Sequence, residues 1–298
     1  MTSPKTRLPS LLTLLVAASL GSAARAETKL TTEVFTASPS GFVVNSTLIA
    51  GEKEAVLVDG QFTLSDAHRL VGMILDSKKT LTTVYVTHGH PDHYFGLVVV
   101  KQAFPKVKIV AQPGTIAEIK KTWAGKVKQW GAIYGANLTT KPIIPEPLSG
   151  HALTLDGQSI EIHGAVQGDD GTNSYVWIPS IKTVITSDIV YQGIFPWTAE
   201  TNAASRVAWS KTLDELAALG ATTVIAGHKE PTQKDDASGI ATTKAYLKDF
   251  DDAAAASKSA AELQGKMKAK YPKLAMDIIL QIGAGAAFPA AVAEGGKK

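Results

Sequence analysis

The sequence predicts an α/β protein in which two β-rich halves with interspersed helices form a layered sandwich of mixed sheets. Short β-branched runs bounded by turn residues recur along the chain and indicate strands. Segments with helical spacing of apolar residues lie between them. The chain has 298 residues, of which 45% are apolar and 19% charged, so it is globular and long enough to bury a large core.

The first half of the chain opens with three strand-like runs separated by turns, a pattern typical of an antiparallel meander. Amphipathic and apolar segments then alternate. The elements predicted here are strands over 31–37, 41–50 and 54–60, a helix over 64–79, a strand over 82–87, a helix over 95–105 and a strand over 106–112.

The second half repeats this alternation more loosely, and its hairpin is marked by the turn pair Asp156-Gly157. An irregular connection over 140–150 precedes that hairpin. The predicted elements are a helix over 116–135, the hairpin over 151–166, strands over 175–180 and 182–191, a helix over 206–220, a strand over 222–230 and a helical extension over about 235–285.

The N-terminal segment 1–26 has the three parts of a secretory signal peptide. Lys5 and Arg7 precede the apolar run 11–20, and Ala24-Arg25-Ala26 forms an A-x-A cleavage site. A buried N-terminal helix is the alternative. The signal predicts a periplasmic or secreted protein with one domain over 27–298, and without Cys there is no site for a lipid anchor.

Charge and cysteine content exclude several classes of function. The predicted signal holds three of the 30 Lys and Arg residues and no acid, so the mature chain has 27 bases and 27 acids. This balance gives no reason to expect a nucleic-acid partner. The absence of Cys excludes disulfides, thiolate metal ligands and thiol catalysis.

A dense group of potential metal ligands lies between a predicted strand and a predicted helix. His88, His90, Asp92 and His93 fall within six positions of each other. Imidazole and carboxylate are the ligands that Zn²⁺ and related divalent ions accept. The alternative, ordinary hydrogen-bonded histidines, explains a single imidazole better than four ligand-type residues together. The spacing therefore predicts a metal site.

The run T-H-G-H-P-D-H resembles the H-x-H-x-D-H signature of the metallo-β-lactamase-fold superfamily. The resemblance extends over nearly the whole mature chain, from the meander and the run VLVDG to the late pair Gly227-His228. It implies an αββα sandwich of two mixed β-sheets flanked by helices. It also implies that His88 and His90 bind one metal, whereas Asp92 and His93 bind a second.

The same resemblance implies three further ligands near later strand ends. His228 in VIAGHKEP would complete the second site, although a loop histidine is the alternative, and Asp188 in TVITSDIVY would bridge both metals. The family places a third first-site histidine where this chain has Asp169. Asp170 or His163 would be the ligand if the loop were shifted or rearranged.

Asp169 has consequences for the choice of metal. Its carboxylate adds negative charge and a hard oxygen, so Mn²⁺ or Fe²⁺ competes better with Zn²⁺, which remains the favoured ion. The added charge also raises the pKa of bound water relative to a three-histidine site. Loss of the first metal is the alternative outcome.

Two divalent ions imply a hydrolase in which a shared hydroxide attacks a carbonyl or phosphoryl centre. Asp92 or Asp188 could carry the proton to the leaving group. Tyr191 stands three residues after Asp188, a spacing similar to that of a substrate-facing tyrosine in the superfamily's acyl-homoserine lactonases. Its phenol could donate to an oxyanion, and a core aromatic is the alternative.

The favoured substrate is a small, moderately apolar ester or lactone. Asp188 stands where the superfamily's β-lactamases have Cys or Ser, which argues against a penicillin-hydrolysing enzyme. Phe195 and Trp197 are expected near the metals, and Trp123, Trp130 and Tyr134 share one helix face, as core or as a lid.

Four alternatives stay open for the activity. They are β-lactam hydrolysis, phosphoester hydrolysis, iron-dependent redox chemistry and a degenerate site without turnover. The C-terminal helical region leaves open a homodimer.

Overall fold

The computed structural model describes Met1 and residues 29–289, and it confirms the predicted αββα sandwich. Apart from Met1, the predicted signal peptide lies outside the described residues. The strands are β1 (Thr31–Thr36), β2 (Asn45–Ala50), β3 (Glu54–Val58), β4 (Thr80–Val86), β5 (Lys108–Ala111), β6 (Glu146–Pro147), β7 (Ala152–Leu155), β8 (Gln158–Val166), β9 (Asn173–Ile178), β10 (Thr183–Ile185), β11 (Tyr191–Gln192), β12 (Thr223–Ile225) and β13 (His228–Lys229). The helices are α1 (Leu64–Asp76), α2 (Pro91–Tyr94), α3 (Leu97–Ala103), α4 (Pro113–Tyr134), α5 (Ala203–Ala218), α6 (Ser238–Ala255), α7 (Ala260–Lys270) and α8 (Asp277–Ala287).

The two main sheets are both mixed. The first has the order β1-β2-β3-β4-β5-β6, antiparallel from β1 to β3 and parallel from β3 to β6. The second has the order β12-β10-β9-β8-β7, antiparallel except for the β10–β12 pair. A small parallel pair, β11 with β13, places Tyr191 beside His228. The parallel strands of the first sheet end at one edge, where the histidine cluster begins.

Three apolar layers hold the sandwich together, and strand alternation divides residues between them. In β3, Val56 faces the second sheet, whereas Leu57 packs beneath α1, α3 and α4. Trp209 of α5 is fully buried in the layer between the second sheet and helices α5 to α8. Side chains buried to this degree each stabilise the fold by about 1.5–3 kcal/mol.

The predicted strand over 182–191 is wrong after Ile185. The chain turns at Ser187, whose φ is +50°, and a single 3-10 turn follows before β11. The Ser187 carbonyl accepts a hydrogen bond from the Gly227 N–H at 2.9 Å. This turn, rather than a continuous strand, carries Asp188. The predicted strand over 41–50 likewise begins only at Asn45, after a 3-10 turn.

Within residues 29–289, no helix combines the length and apolar character needed to cross a membrane.

Candidate metal centre

Four segments meet at one edge of the sandwich and bring the predicted ligands together. The segment after β4 continues into the short helix α2 and carries the H-x-H-x-D-H run. The loop between β8 and β9 supplies Asp169, the 3-10 turn after β10 supplies Asp188, and β13 begins with His228. The site therefore forms only when both sheets are in place.

The first ligand group consists of His88, His90, Asp169 and Asp188. One donor atom from each residue lies within 4.8 Å of the others, and all four are buried. His90 Nδ1 is 2.9 Å from Asp169 Oδ2, and His88 Nε2 is 3.9 Å from Asp169 Oδ1. His88 Nε2 is also 3.8 Å from Asp188 Oδ2.

The second ligand group consists of Asp92, His93 and His228, again with donor atoms within 4.8 Å of one another. His228 Nε2 lies 3.2 Å from Asp92 Oδ2 and 3.2 Å from Asp188 Oδ2. His93 Nε2 lies 3.1 Å from Asp188 Oδ1. The Asp188 carboxylate thus stands between the two groups, in the position expected of a bridging ligand.

Gly227 permits this close approach. A Cβ atom at position 227 would lie 2.2 Å from Asp188 Oδ1 and 2.4 Å from the Ser187 carbonyl carbon. Any side chain there would push the β13 strand away from the 3-10 turn. The glycine before His228 is therefore required for His228 and Asp188 to meet.

Each of the four histidines has one ring nitrogen held by a partner outside the ligand groups, which leaves the other nitrogen facing the centre. Such partners fix the tautomer and the ring orientation of metal-binding histidines. The held atoms are His88 Nδ1 (Thr87 and Ser187 hydroxyls, 3.2 and 3.1 Å), His90 Nε2 (Glu200, 3.2 Å), His93 Nδ1 (Asp59, 2.7 Å) and His228 Nδ1 (Phe42 carbonyl, 2.8 Å).

None of these partners was among the site residues predicted from the sequence, and two of them, Asp59 and Glu200, are carboxylates. Asp59 follows β3 with a φ of +63° and accepts hydrogen bonds from the Thr87 N–H and hydroxyl at 2.9 and 2.8 Å. A polar residue directly after the buried β3, beside the parallel β4, was a signal that could have identified it. Glu200 lies in an irregular loop, and the sequence around it gives no comparable signal.

The donor set fits divalent metal ions. Within the part of the chain that the structure describes, His88 Nε2 is buried without a hydrogen-bond partner, and the buried atoms His93 Nε2 and Asp188 Oδ1 lie 3.1 Å apart without hydrogen-bond geometry. Each such buried polar atom costs about 1–3 kcal/mol if nothing satisfies it. Imidazole nitrogens and carboxylate oxygens converging in this way are ligands for Zn²⁺, Mn²⁺ or Fe²⁺.

Proton binding at the site follows from burial and from the opposite charges. Burial, reinforced by the Asp188 carboxylate, raises the pKa of Asp169 to about 7 despite the opposing attraction of His90. Burial opposes protonation of His228, but the Asp188 and Asp92 carboxylates raise its pKa to about 10. Burial and repulsion from His93 lower the pKa of His88 well below its usual value.

Of the three residues considered for the remaining first-group position, Asp169 lies in the cluster. Its Oδ1 accepts a hydrogen bond from Asn173 Nδ2 at 2.8 Å. Asp170 instead caps its own loop by accepting from the Thr172 N–H and hydroxyl. His163 has a 40% exposed side chain, pairs with Glu161 and stacks on Tyr175, on a different surface.

Tyr191 is buried beside both groups. Its hydroxyl lies 2.8 Å from Asp188 Oδ2 and 3.2 Å from Asp169 Oδ2, and its ring stacks on His228 at 5.3 Å. Burial and the carboxylates of Asp169 and Asp188 raise its pKa well above the usual value, so the phenol keeps its proton and acts as a donor.

A small cavity of about 50 Å³, partly open to solvent, lies beside the ligand groups. Its apolar wall comes from Phe42, Phe62, Trp130, Trp197 and Ile279. Lys126 and Glu200 line it together with several of the ligands.

Phe195 was expected to face the pocket beside the metals, but its side chain is buried in the core against Tyr246 of α6 and is not among the residues that line the cavity. Trp130 and Tyr134 form an aromatic cluster with Phe62, whereas Trp123 packs against the core beneath α4. The predicted aromatic face is therefore mainly core, and Trp130 also reaches the cavity.

The family comparison agrees with the fold and the ligand set. Residues 39–228 match the model of the metallo-beta-lactamase superfamily. The chain belongs to this superfamily, whose members are generally metal-dependent hydrolases. A comparison with curated protein sequences found no match.

Solved structures of the same fold resemble the chain at low sequence identity. A metallo-beta-lactamase family protein from Thermus thermophilus is 19% identical with a TM-score of 0.64, covering 86% of this chain and 91% of its own. The DIM-1 metallo-beta-lactamase is 20% identical with a TM-score of 0.54, covering 74% and 92%. A metallo-beta-lactamase from Pontibacter korlensis is 19% identical with a TM-score of 0.54, covering 75% and 96%. At this identity the likeness concerns the fold.

Proposed function

We propose that this protein is an exported, binuclear, metal-dependent hydrolase that cleaves an ester, a lactone or a related carbonyl bond. The observation that carries the proposal is the pair of ligand groups joined by Asp188, placed beside a cavity with an apolar wall. Activity at such a pair needs the two ions about 3.5–4 Å apart. The Asp188 carboxylate is close to both groups, because its Oδ2 lies 3.8 Å from His88 Nε2 and 3.2 Å from His228 Nε2.

His88, His90 and Asp169 would hold one divalent ion, and Asp92, His93 and His228 the other, with Asp188 shared. Bound ions would supply water activation and polarisation of the substrate carbonyl oxygen. Zn²⁺ is the favoured ion, and the Asp169 carboxylate makes Mn²⁺ or Fe²⁺ competitive because harder cations prefer oxygen ligands.

Two side chains are suited to move or donate protons during hydrolysis. Asp92 is the most exposed of the three ligand carboxylates and lines the cavity, so it can pass a proton to a leaving group. Tyr191 also lines the cavity and carries a phenol that stays protonated, so it can donate a hydrogen bond to an oxyanion. Asp188 is the alternative proton carrier.

The cavity supports a small, moderately apolar substrate. Aromatic side chains such as Trp130 and Trp197 favour an acyl or aryl group through burial of apolar surface. The balanced charge of the mature chain gives no reason to expect a nucleic-acid partner. Export to the periplasm or beyond follows from the predicted signal at 1–26, and a homodimer remains a prediction.

The test is a substrate panel on chelator-stripped protein reconstituted separately with Zn²⁺, Mn²⁺ and Fe²⁺. We expect hydrolysis of aryl esters or lactones that disappears with chelator and returns with metal, and much slower turnover of β-lactam and phosphodiester reporters. An Asp188→Asn variant is the control for contaminating esterases. Absence of hydrolysis with every ion would contradict the proposal, and dioxygen uptake by the iron form would favour redox chemistry instead.

A further inference from the structure

The loop after β11 brings a carboxylate to the outer edge of the His90 ring. Glu200 Oε2 lies 3.2 Å from His90 Nε2, and Glu200 Oε1 accepts a hydrogen bond from Lys126 Nζ at 2.9 Å. The opposite ring nitrogen, His90 Nδ1, faces Asp169 at 2.9 Å. Lys126 of α4, Glu200, His90 and Asp169 therefore form one continuous polar chain from the surface to the first ligand group.

We infer that Glu200 is a positioning residue for His90, that Lys126 in turn holds Glu200, and that this pair sets the affinity of the first ligand group for its metal. The inference rests on the proposed metal-dependent function. It concerns two residues that lie outside the ligand groups and outside the H-x-H-x-D-H run.

The chemistry of imidazole supports this role. A histidine that binds a metal through Nδ1 carries its proton on Nε2, and a carboxylate that accepts this proton's hydrogen bond fixes the tautomer and orients the ring. Glu200 is placed to accept that bond. The same carboxylate makes His90 a better electron donor to a metal, which raises affinity.

A purely structural role explains the arrangement less well. The Glu200 side chain is 41% exposed and Lys126 is 20% exposed. Exposed ion pairs of this kind contribute little to folding stability because water and salt screen them. His90, in contrast, is almost fully buried, so the effect of Glu200 on its ring is screened less than the ion pair itself.

The experiment uses the full chain and measures metal binding rather than turnover. Zn²⁺ affinity is determined by competition with a chromophoric chelator, and the visible spectrum of the Co²⁺ form reports the ligand geometry. We expect Glu200→Ala to lower the affinity for one of the two metal ions by about tenfold and to shift the Co²⁺ absorption bands. Glu200→Gln keeps one acceptor oxygen and should recover most of the affinity, and Lys126→Met should cause a smaller loss than Glu200→Ala.

Glu262→Ala is the matched control. Glu262 is 42% exposed and pairs with Lys266 at 2.8 Å, but it lies in α7. Unchanged affinity and spectrum in Glu200→Ala, or an equal loss in Glu262→Ala, would overturn the inference and leave the proposed function standing. No effect of Lys126→Met would overturn the part assigned to Lys126. Failure of the wild-type chain to bind metal would overturn both proposals.

Discussion

The two ligand groups contain the same donors in different surroundings. Each group has two imidazoles and one carboxylate of its own, Asp169 in the first and Asp92 in the second, with Asp188 between them. Asp169 is fully buried and accepts hydrogen bonds from Asn173 and Tyr191. Asp92 is 14% exposed and lines the cavity.

This difference shows that a residue type does not define a role. Asp169 is held by several partners and is not among the residues that line the cavity, so it is placed to bind a metal rather than to contact a substrate. Asp92 has fewer partners and faces the space where a substrate would lie, so it can also exchange protons. Asp169 thus gives the first group a buried carboxylate, whereas the carboxylate of the second group also faces the cavity.

The carboxylates that hold the ligand histidines from outside also differ in burial between the two groups. In the second group His93 is held by Asp59, a buried carboxylate at 2.7 Å, whereas in the first group His90 is held by the exposed Glu200 at 3.2 Å. Hydrogen bonds to charged groups are stronger where water is excluded. The second group is therefore expected to be the more rigid and the tighter of the two.

Asp188→Ala breaks the connection between the groups and should have the largest effect. Loss of the shared ligand is expected to lower the affinity of the site for both metals. It should also lower kcat/KM roughly a thousandfold, because metal activation stabilises the transition state by several kcal/mol. Metal content and ester hydrolysis of purified variant and wild-type protein measure this. Near-normal turnover by folded Asp188→Ala, verified by circular dichroism, would contradict the bridging role.

The variants Asp169→Asn and Asp169→His test metal binding at the first ligand group while the ligands of the second group stay unchanged. The Asn variant lacks the anionic oxygen and should hold one equivalent of metal where the wild type holds two. The His variant restores an imidazole and should keep both, with Zn²⁺ favoured over Mn²⁺ more strongly than in the wild type. Metal analysis after dialysis against each ion distinguishes the variants, and unchanged content in Asp169→Asn would show that another residue completes the first group.

The variant Asp59→Asn tests whether the buried partner of His93 matters more for metal affinity than Glu200, the exposed partner of His90. The Asn side chain can still accept from Thr87, but the carboxylate charge on His93 is gone. We expect a loss of about 10–100-fold in the affinity of one metal, at or above the loss for Glu200→Ala. Chelator competition measures both, and a smaller loss in Asp59→Asn would reverse the ranking of the two groups.

Much of the fold and of the ligand set could be predicted because the information is local. His88, His90, Asp92 and His93 are adjacent in sequence, so their pattern is visible without a structure. Strand alternation and turn residues identified most elements of both sheets. The remaining members of the cluster came from the family resemblance, because nothing local connects Asp188 with a histidine forty residues later.

What could not be predicted depends on contacts between distant segments. Glu200 meets His90 across 110 residues, and neither position carries a pattern that indicates the other. The turn at Ser187 requires a positive φ at a residue that rarely adopts one. Phe195 is buried because α6 covers it, and the apolar sequence around it fits a cavity wall equally well.

The pH dependence of metal binding reports which histidines must lose a proton before they can bind a metal. In the metal-free protein His88 has a lowered pKa and is already neutral at pH 7, whereas the pKa of His228 is raised to about 10. Burial opposes protonation of His93, but the Asp188, Asp59 and Asp92 carboxylates raise its pKa well above the usual value. Protons must therefore leave both His93 and His228 when the second metal binds, so affinity should rise with pH until about 10. Each displaced proton contributes up to about tenfold per pH unit. Calorimetric titrations in buffers of different ionisation enthalpy measure the release, and a metal affinity that is flat between about pH 7 and 9 would contradict the protonated state of His228.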